Sequence, residues 1–492
     1  MLNNILRNET NLTLTENSGT AYRSSESFCL DMFFKAGAMR TASERDISNT
    51  VTRAFCEDPD KTMKILFFAR DVRGGLGERR FFRCAVETLI GFAPDAVRKN
   101  IPLFSEYGRW DDLLVLIDTP LEGDAVKVIN ERLSEDLRAM EQGKPVSLLA
   151  KWLPSVNASS RETCRQGRRM AALLGMSEKT YRKTLSALRR YTDIVENRLR
   201  ERDYTFKYES QPSCAMLKYR AAFIRNDGER YHNYMNSVAR GEAKLNTSTL
   251  YPYDVVRNAM DRDLSEKERE SLDITWKALS AMTAENRENA LAVVDGSGSM
   301  YGRYGGSLRP IDAALSLGIF FAEHNKGMFE NCFMTFSMNP QIVSIKGRDI
   351  CEKVRYCESF DEIANTDLEA VFLVLLRAAA ANKAKPEEMP SRLYIISDMQ
   401  FDYCVVGGND EPLFREMKKL YNKHGYKLPE IVFWNVSSRS DAIPVNRSET
   451  GAALVSGYTA AVFNMVMSGE ISPETVMNDI LSSERYADIT AA

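Results

Sequence analysis

The spacing of apolar residues divides the chain into two patterns. From about residue 28 to residue 285, apolar side chains recur at helical spacing, as in Phe28, Leu30, Phe33 and Phe34. Short strings rich in glycine, proline and polar residues separate these segments, as expected for turns between helices. This pattern predicts an all-helical region of antiparallel helix pairs, similar to HEAT repeats, although the sequence shows no fixed-period repeat.

The pattern changes near residue 290. Residues 290–294 form a continuous apolar run that ends in a polar loop, which is typical of a central parallel strand. Downstream, helical segments (311–323, 368–381, 413–421) alternate with strand-like segments (332–336, 393–396, 431–434). The alternation predicts a doubly wound α/β domain. The predicted fold class is therefore α + α/β, with an N-terminal extension (1–27), a helical domain (28–285) and an α/β domain (290–492).

A D-x-S-x-S sequence follows the first predicted strand of the α/β domain. Asp295, Ser297 and Ser299 place one carboxylate and two hydroxyls at alternate positions, at the strand end where open α/β sheets bind ligands. Oxygen donors of this kind suit a divalent cation. Thr366, at the start of a predicted helix, and Asp398, at the end of a predicted strand, add two further oxygens. A polar strand-to-helix turn is the alternative interpretation.

This arrangement resembles the metal-ion-dependent adhesion site of von Willebrand A domains, where such a loop, a threonine and a second aspartate surround Mg²⁺ or Mn²⁺. The resemblance implies that Ser297, Ser299 and Thr366 bind the metal directly, and that Asp295 and Asp398 act directly or through water. It also implies an open coordination position for water or a partner's carboxylate. We expect a binding site and not an enzyme, because a G-x-S-x-G motif is absent from this loop and the chain has three histidines.

Polar and aromatic strings interrupt the helical region: RDVRGGLGER at 70–79, YGRWDD at 107–112, KWLPS at 151–155, YRK at 181–183 and YPYD at 251–254. With these strings, the chain resembles an uncharacterised family that has a helical N-terminal region and a C-terminal von Willebrand A domain. The architecture is also similar to that of the TROVE-containing Ro autoantigen proteins, in which a ring of HEAT-like helices binds noncoding RNA. That resemblance implies an RNA-binding ribonucleoprotein scaffold.

The charge distribution indicates a place for RNA. Residues 151–250 contain 20 Lys and Arg but 10 Asp and Glu, a balance of +10, whereas the whole chain carries −3 and the remainder −13. Such asymmetry is typical of a polyanion-binding surface, and it is also compatible with a solvated helical face. The candidate residues for noncoding or single-stranded RNA are the basic cluster and a tyrosine for base stacking: Arg161, Arg165, Arg168, Arg169, Tyr181, Arg182, Lys183, Arg189 and Arg190.

Composition narrows the remaining alternatives. Nine cysteines without C-x-x-C pairs argue against a zinc module or a disulfide framework. No signal peptide and no apolar stretch of roughly 20 residues is evident, so we expect a cytoplasmic protein without a membrane span. The rival to RNA binding is a protein-interaction scaffold, in which the metal captures an acidic residue of a partner.

Two strings also have structural interpretations. Residues 74–77, Gly-Gly-Leu-Gly, lack the Lys-Ser/Thr of a phosphate-binding P-loop and follow no apolar strand, so they predict a tight turn between helices. Residues 109–112, Arg-Trp-Asp-Asp, predict a buried ion pair and an aromatic contact between helices, and Trp152 is expected to pack similarly. RNA stacking is the alternative interpretation for these tryptophans.

Overall fold

The computed structural model describes most of the chain: residues 10–16, 20–281, 289–302, 309–325, 327–337, 339–360, 367–401, 413–438, 442–459 and 471–491. Within these residues, the N-terminal part is helical and the C-terminal part contains a six-stranded sheet flanked by helices. The predicted α + α/β fold class is therefore confirmed. A two-stranded antiparallel hairpin, β1 (Leu12–Leu14) and β2 (Thr20–Tyr22), precedes the helices and was not predicted.

The helical part consists of short helices joined by tight turns. Their bounds are α1 (Phe28–Ala36), α2 (Glu44–Glu57), α3 (Pro59–Arg70), α4 (Arg79–Ile90), α5 (Pro94–Asn100), α6 (Phe104–Tyr107), α7 (Glu122–Glu141), α8 (Leu149–Trp152), α9 (Arg161–Leu173), α10 (Glu178–Tyr191), α11 (Val195–Glu201), α12 (Ser213–Asn226), α13 (Gly228–Ala239), α14 (Pro252–Ala259) and α15 (Glu266–Ala281). Side-chain caps fix several starts; Ser43, for example, accepts a hydrogen bond from the backbone N–H of Asp46.

The glycine-rich string at 74–77 forms the predicted turn between α3 and α4. Gly77 has a φ of +70°, which favours glycine. At Gly75, a Cβ atom would lie 2.0 Å from the carbonyl oxygen of Phe68, so only glycine allows the chain to return this closely to α3. The structure thus supports the turn interpretation.

The C-terminal sheet has the strand order β5-β4-β3-β6-β7-β8. Its strands are β3 (Ala290–Asp295), β4 (Cys332–Phe336), β5 (Ile342–Ser344), β6 (Arg392–Ser397), β7 (Glu430–Asn435) and β8 (Ala452–Ser456). The flanking helices are α16 (Pro310–His324), α17 (Ile350–Glu358), α18 (Leu368–Asn382), α19 (Leu413–Lys423) and α20 (Pro473–Leu481). All pairings are parallel except the edge pairing of β4 with β5. The strand order reverses between β3 and β6, which makes this the topological switch point.

The predicted segments of the α/β domain agree closely with the structure. Every residue of β3 and β6 is buried, which explains the apolar runs at 290–294 and 393–396 within these strands. Gly318 lets α16 approach β3, because a Cβ there would lie 2.5 Å from Cγ2 of Val294. The strands β5 and β8 were not predicted.

The two parts of the chain pack against each other through a continuous apolar core. The backbone N–H of Gly37, after α1, donates to the hydroxyl of Ser456 at the end of β8 (3.0 Å). In addition, the indole N–H of Trp276 in α15 donates to a carboxylate oxygen of Glu323 in α16 (2.7 Å). The helical part and the sheet therefore support each other's structure.

Two expectations from composition concern the described residues. Eight of the nine cysteines are described and all eight are free, although Cys56 and Cys214 are exposed and not buried. Cys404 lies outside the described residues. Among the described helices, none combines the length and the apolar character needed to cross a lipid bilayer.

Candidate metal centre

The topological switch point brings two aspartates together. Asp295 is the last residue of β3, and Asp398 follows directly after β6. These strands are parallel neighbours, with Val294 opposite Ile396. Both carboxylates are buried, with exposed fractions of 0% for Asp295 and 2% for Asp398. The crevice at such a point is the usual ligand site of an open α/β sheet.

Hydrogen bonds hold the Asp295 carboxylate in one orientation. Its Oδ2 accepts from the hydroxyl of Ser397 (2.5 Å), and its Oδ1 accepts from the backbone N–H of Ser297 (2.9 Å). Among the described residues, no lysine or arginine forms an ion pair with Asp295. Ser397 is not among the predicted site residues, although its position at the end of a buried strand, directly before Asp398, is a signal in the sequence.

The electrostatics of this crevice favour a bound cation. Burial, followed by the charge of the nearby Asp398 carboxylate, raises the pKa of Asp295 to about 7. Two buried carboxylates without a cation repel each other and lose hydration, so their charged forms are unfavourable together. A divalent cation would remove both penalties, because it is the largest local charge in such a site.

The hydroxyls of the loop add to this donor set. The Oγ atoms of Ser297 and Ser299 lie 3.0 Å apart, so the two hydroxyls converge. Together with the aspartates they form a set of hard oxygen donors that fits Mg²⁺ or Mn²⁺. Thr366, the fifth predicted ligand, lies outside the described residues. Among the described residues, no group of three or more His, Cys, Asp or Glu side chains is placed to hold a metal ion. The candidate centre is of another kind, because two aspartates and two serines contribute its described donors.

The N-terminal extension contacts the loop that follows Asp398. The backbone N–H of Gln400 donates to Oδ1 of Asp398 (3.3 Å), and the side-chain oxygen of Gln400 accepts from the backbone N–H of Glu16 (2.9 Å). The hydroxyl of Thr15 also donates to the carbonyl of Phe401. The hairpin of the extension is therefore anchored beside the candidate metal centre.

The predicted RNA-binding residues fall into three groups in the structure. Arg182, Lys183 and Arg190 are exposed on one face of α10, which Lys179 shares because these positions follow helical spacing. Arg161 is exposed at the start of α9. The other arginines of α9 are in ion pairs with acids, which reduces their effective charge: Arg165 with Glu162 (2.9 Å), Arg168 with Glu178 (3.5 Å), and Arg169 with Asp118 (3.2 Å) and Glu122 (2.8 Å).

Two residues of that set have structural roles instead. Tyr181 is fully buried and its hydroxyl donates to the carbonyl of Pro154 (2.9 Å), so its ring is not available to a base. Arg189 donates to the carbonyl oxygens of Ala150 and Leu153, 2.7 Å away in both cases. These two assignments are corrected. The signal was present for Tyr181, which lies in helical register with the apolar residue Leu185.

The string at 109–112 contains the predicted buried ion pair, with distant partners. Asp112 is completely buried and pairs with Arg70 of α3 (2.7 Å) and Arg83 of α4 (2.9 Å). Arg109 instead lies over the ring of Trp152, 4.6 Å from its centroid. This string therefore joins helices, as the structural interpretation required.

The chain is similar to a viral protein and to a solved bacterial structure. An uncharacterized protein of Acanthamoeba polyphaga mimivirus is 27% identical over 514 aligned residues, which cover 96% of this chain and 87% of that protein. Among solved structures, the crystal structure of the Deinococcus radiodurans Ro (RSR) protein aligns with 93% of this chain and 99% of that chain. The sequence identity is 13% and the TM-score is 0.38.

Two family models match the chain. The model described as "Domain of unknown function (DUF7788)" matches residues 289–488. The model described as "Domain of unknown function (DUF2828)" matches residues 15–131 and 159–289, just over half of the chain. Neither description names a von Willebrand A domain, so that resemblance stays a prediction. The chain belongs to the DUF2828 family.

Proposed function

We propose that the α/β domain binds a divalent cation, Mg²⁺ or Mn²⁺, and presents it to an acidic group of a partner protein. The observation that carries this proposal is the buried Asp295 carboxylate, which faces the field of Asp398 without a basic ion-pair partner among the described residues. Asp295, Ser297, Ser299 and Asp398 would hold the cation. Thr366, outside the described residues, is proposed as a further ligand.

The donor set explains why such a site would bind a partner. Such a cation prefers roughly six oxygen ligands, and two carboxylates with serine hydroxyls do not fill all of these positions. A carboxylate from a partner is a hard anionic oxygen, so it would fill an open position and balance the charge. The site is proposed to bind and not to catalyse, because no histidine lies near it in sequence and its serines lack the G-x-S-x-G context.

Metal-dependent thermal stability tests the first part of this proposal. The wild-type protein, stripped with EDTA, should gain about 2.7 kcal/mol of stability when free Mg²⁺ reaches 100 times its Kd. Ser299→Ala should weaken that response, and Asp295→Asn should abolish it. Ser344→Ala, on the exposed edge strand β5, is the matched control and should respond like the wild type.

An acidic peptide provides the test of the second part. A fluorescent peptide containing glutamate should bind in Mg²⁺ and dissociate in EDTA, whereas its glutamine counterpart should not bind. If neither Mg²⁺ nor Mn²⁺ changes the unfolding temperature of the wild-type protein, the metal site is refuted. Metal binding without any carboxylate preference would leave the site standing and refute its proposed use.

We also propose RNA binding by the exposed face of α10, as a second candidate function. Lys179, Arg182, Lys183 and Arg190 share this face, and no acid among the described residues forms an ion pair with them. Uncompensated cations at helical spacing can contact successive phosphates of a polyanion. This is the specific observation that favours RNA over a solvated face, since most neighbouring arginines of α9 are in ion pairs.

Charge reversal on that face tests RNA binding. The double variant Arg182→Glu/Lys183→Glu should bind single-stranded RNA at least tenfold more weakly, and its salt dependence should flatten by about 0.7 per lost phosphate contact. Arg45→Glu, at an exposed arginine of α2, is the control and should bind like the wild type. Equal losses in the two variants would indicate a general charge effect and contradict this surface.

A further inference from the structure

A cleft of about 540 Å³ opens where the N-terminal extension, α1 and α2 meet the loop after β7. It is distinct from the two sites above, because neither the candidate metal ligands nor the basic face of α10 line it. The volume lies within the range of small-molecule sites, roughly 300–1,000 Å³, and such sites occur preferentially where parts of a protein meet. Its lining includes Glu16, Arg23, Phe28, Asp31, Lys35, Ser43, Asp46, Asn49, Thr50, Arg53 and Ser438.

The acids and bases of this cleft are not equivalent. Asp31 accepts hydrogen bonds from the backbone N–H (2.8 Å) and the hydroxyl (2.6 Å) of Ser25, and Asp46 accepts from the hydroxyl of Ser43 (2.6 Å). One carboxylate oxygen of each, Oδ1 of Asp31 and Oδ2 of Asp46, is therefore already engaged within the protein. Arg23 and Arg53, in contrast, form no ion pair with an acid among the described residues.

Two arginines of this cleft are candidates to bind an anion. Arg23 is exposed and uses its Nε to donate to the carbonyl of Leu12 (3.2 Å), which orients the guanidinium, and no described residue accepts a hydrogen bond from its terminal nitrogens. Arg53 is exposed on α2. Guanidinium groups bind phosphate in a planar, bidentate manner, so a pair of them at one cleft favours a phosphate group.

An aromatic ring lies beside these cations. Phe28, the first residue of α1, keeps 41% of its surface exposed, and the guanidinium of Arg53 lies 5.8 Å from its ring centroid. An exposed ring next to a cation offers a stacking surface for a flat, unsaturated group. The hydroxyl of Thr50 and the amide of Asn49 line the same cleft and can hydrogen-bond a sugar.

We propose that this cleft binds a nucleoside monophosphate, with its phosphate held by Arg23 and Arg53, its base stacked on Phe28 and its sugar directed towards the polar residues of α2. The ligand would contact both the N-terminal extension and the helical part. This site operates independently of the metal proposed for Asp295.

Isothermal titration calorimetry with AMP and with inorganic phosphate, both in EDTA, tests the proposal. The wild type should bind AMP more tightly than phosphate. Arg53→Gln should weaken the binding of both ligands about tenfold, because each loses charge-assisted hydrogen bonds. Arg45→Gln, at an exposed arginine of the same helix that does not line the cleft, should bind like the wild type.

Phe28→Ala separates a nucleotide site from a simple anion site. It should weaken AMP binding about fivefold to tenfold and leave phosphate binding unchanged, since only the base stacks on the ring. Circular dichroism would verify that each variant is folded. The absence of AMP binding in the millimolar range, AMP binding that disappears in EDTA, or equal losses in Arg53→Gln and Arg45→Gln would each overturn the proposal.

Discussion

Asp112 in the helical part and Asp295 in the α/β domain are both completely buried carboxylates, but their surroundings differ. Asp112 has three arginines as ion-pair partners, Arg70 at 2.7 Å, Arg83 at 2.9 Å and, more distantly, Arg79 at 3.9 Å. Asp295 has a serine hydroxyl, a backbone N–H and the repulsive field of Asp398. Among the described residues, the protein thus supplies a counter-charge to Asp112 but none to Asp295.

This difference separates a structural carboxylate, Asp112, from one that is proposed to bind a cation, Asp295. A buried charge is costly unless it is paired. Around Asp112 the chain itself provides the pair, so α3, α4 and the string at 109–112 are joined without any ligand. Around Asp295 the described neighbours orient the carboxylate without neutralising it, so the proposed cation would supply the counter-charge.

Removing the counter-charge of Asp112 should have the largest effect. Arg70→Met would remove the buried cation beside Asp112 and leave the carboxylate with arginines that are partly exposed to solvent. It should therefore cost about 3–5 kcal/mol of stability. The shift of the urea unfolding midpoint, followed by circular dichroism, measures this loss. Arg98→Met, which breaks exposed pairs with Asp95 and Asp124, is the control and should change the midpoint little. A similarly small shift for Arg70→Met would contradict the structural role of this pair.

Neutralising Asp295 should increase the stability of the metal-free protein, whereas removing the counter-charge of Asp112 should decrease it. Asp295→Asn removes a buried charge that faces another carboxylate, so in EDTA at pH 8 it should raise stability by on the order of 1–2 kcal/mol. The same urea titration measures the gain. Ser344→Ala again serves as the control. A loss of stability comparable to that of Arg70→Met would show that the two carboxylates play the same structural role.

The pH dependence of that gain sharpens the comparison. The folded-state pKa of Asp295 is raised to about 7, so the folded wild type retains a proton that the unfolded chain releases near pH 4. Wild-type stability in EDTA should therefore fall as pH rises from about 4 to 7, relative to Asp295→Asn. Thermal midpoints of both proteins across this range test the sign. Parallel curves would contradict a raised pKa at this position.

Much of the α/β domain could be predicted because its central strands are buried on both faces. The apolar runs at 290–294 in β3 and 393–396 in β6, and the D-x-S-x-S sequence that begins at the end of β3, are local signals. Asp398 could be placed because parallel strands end at one edge of the sheet. The strand β5 has three residues and pairs antiparallel at the edge, so its existence depends on tertiary pairing that no local pattern encodes.

In the helical part, charge density alone does not predict which basic and aromatic side chains are accessible to a ligand. The local density of Lys and Arg identifies the basic cluster, whereas helical periodicity decides which of its side chains face solvent. Tyr181 lies on the buried stripe of α10, and Arg189 is used to bind backbone carbonyls. The cleft at Arg23 and Arg53 combines residues from separate segments, so no motif in the sequence could reveal it.

The smallest effect is expected at the second cation of the helical ion pair. Arg83 is partly exposed (29%) and also donates to the carbonyl of Asp111 (2.8 Å). Arg83→Gln retains a donor and leaves Asp112 its pair with Arg70, so it should cost about 1 kcal/mol. The urea unfolding midpoint of this variant, compared with that of Arg70→Met, measures how much each arginine contributes to balancing the charge of Asp112. A loss as large as that of Arg70→Met would mean that Asp112 needs both arginines, and that its charge is balanced less securely than a single pair suggests.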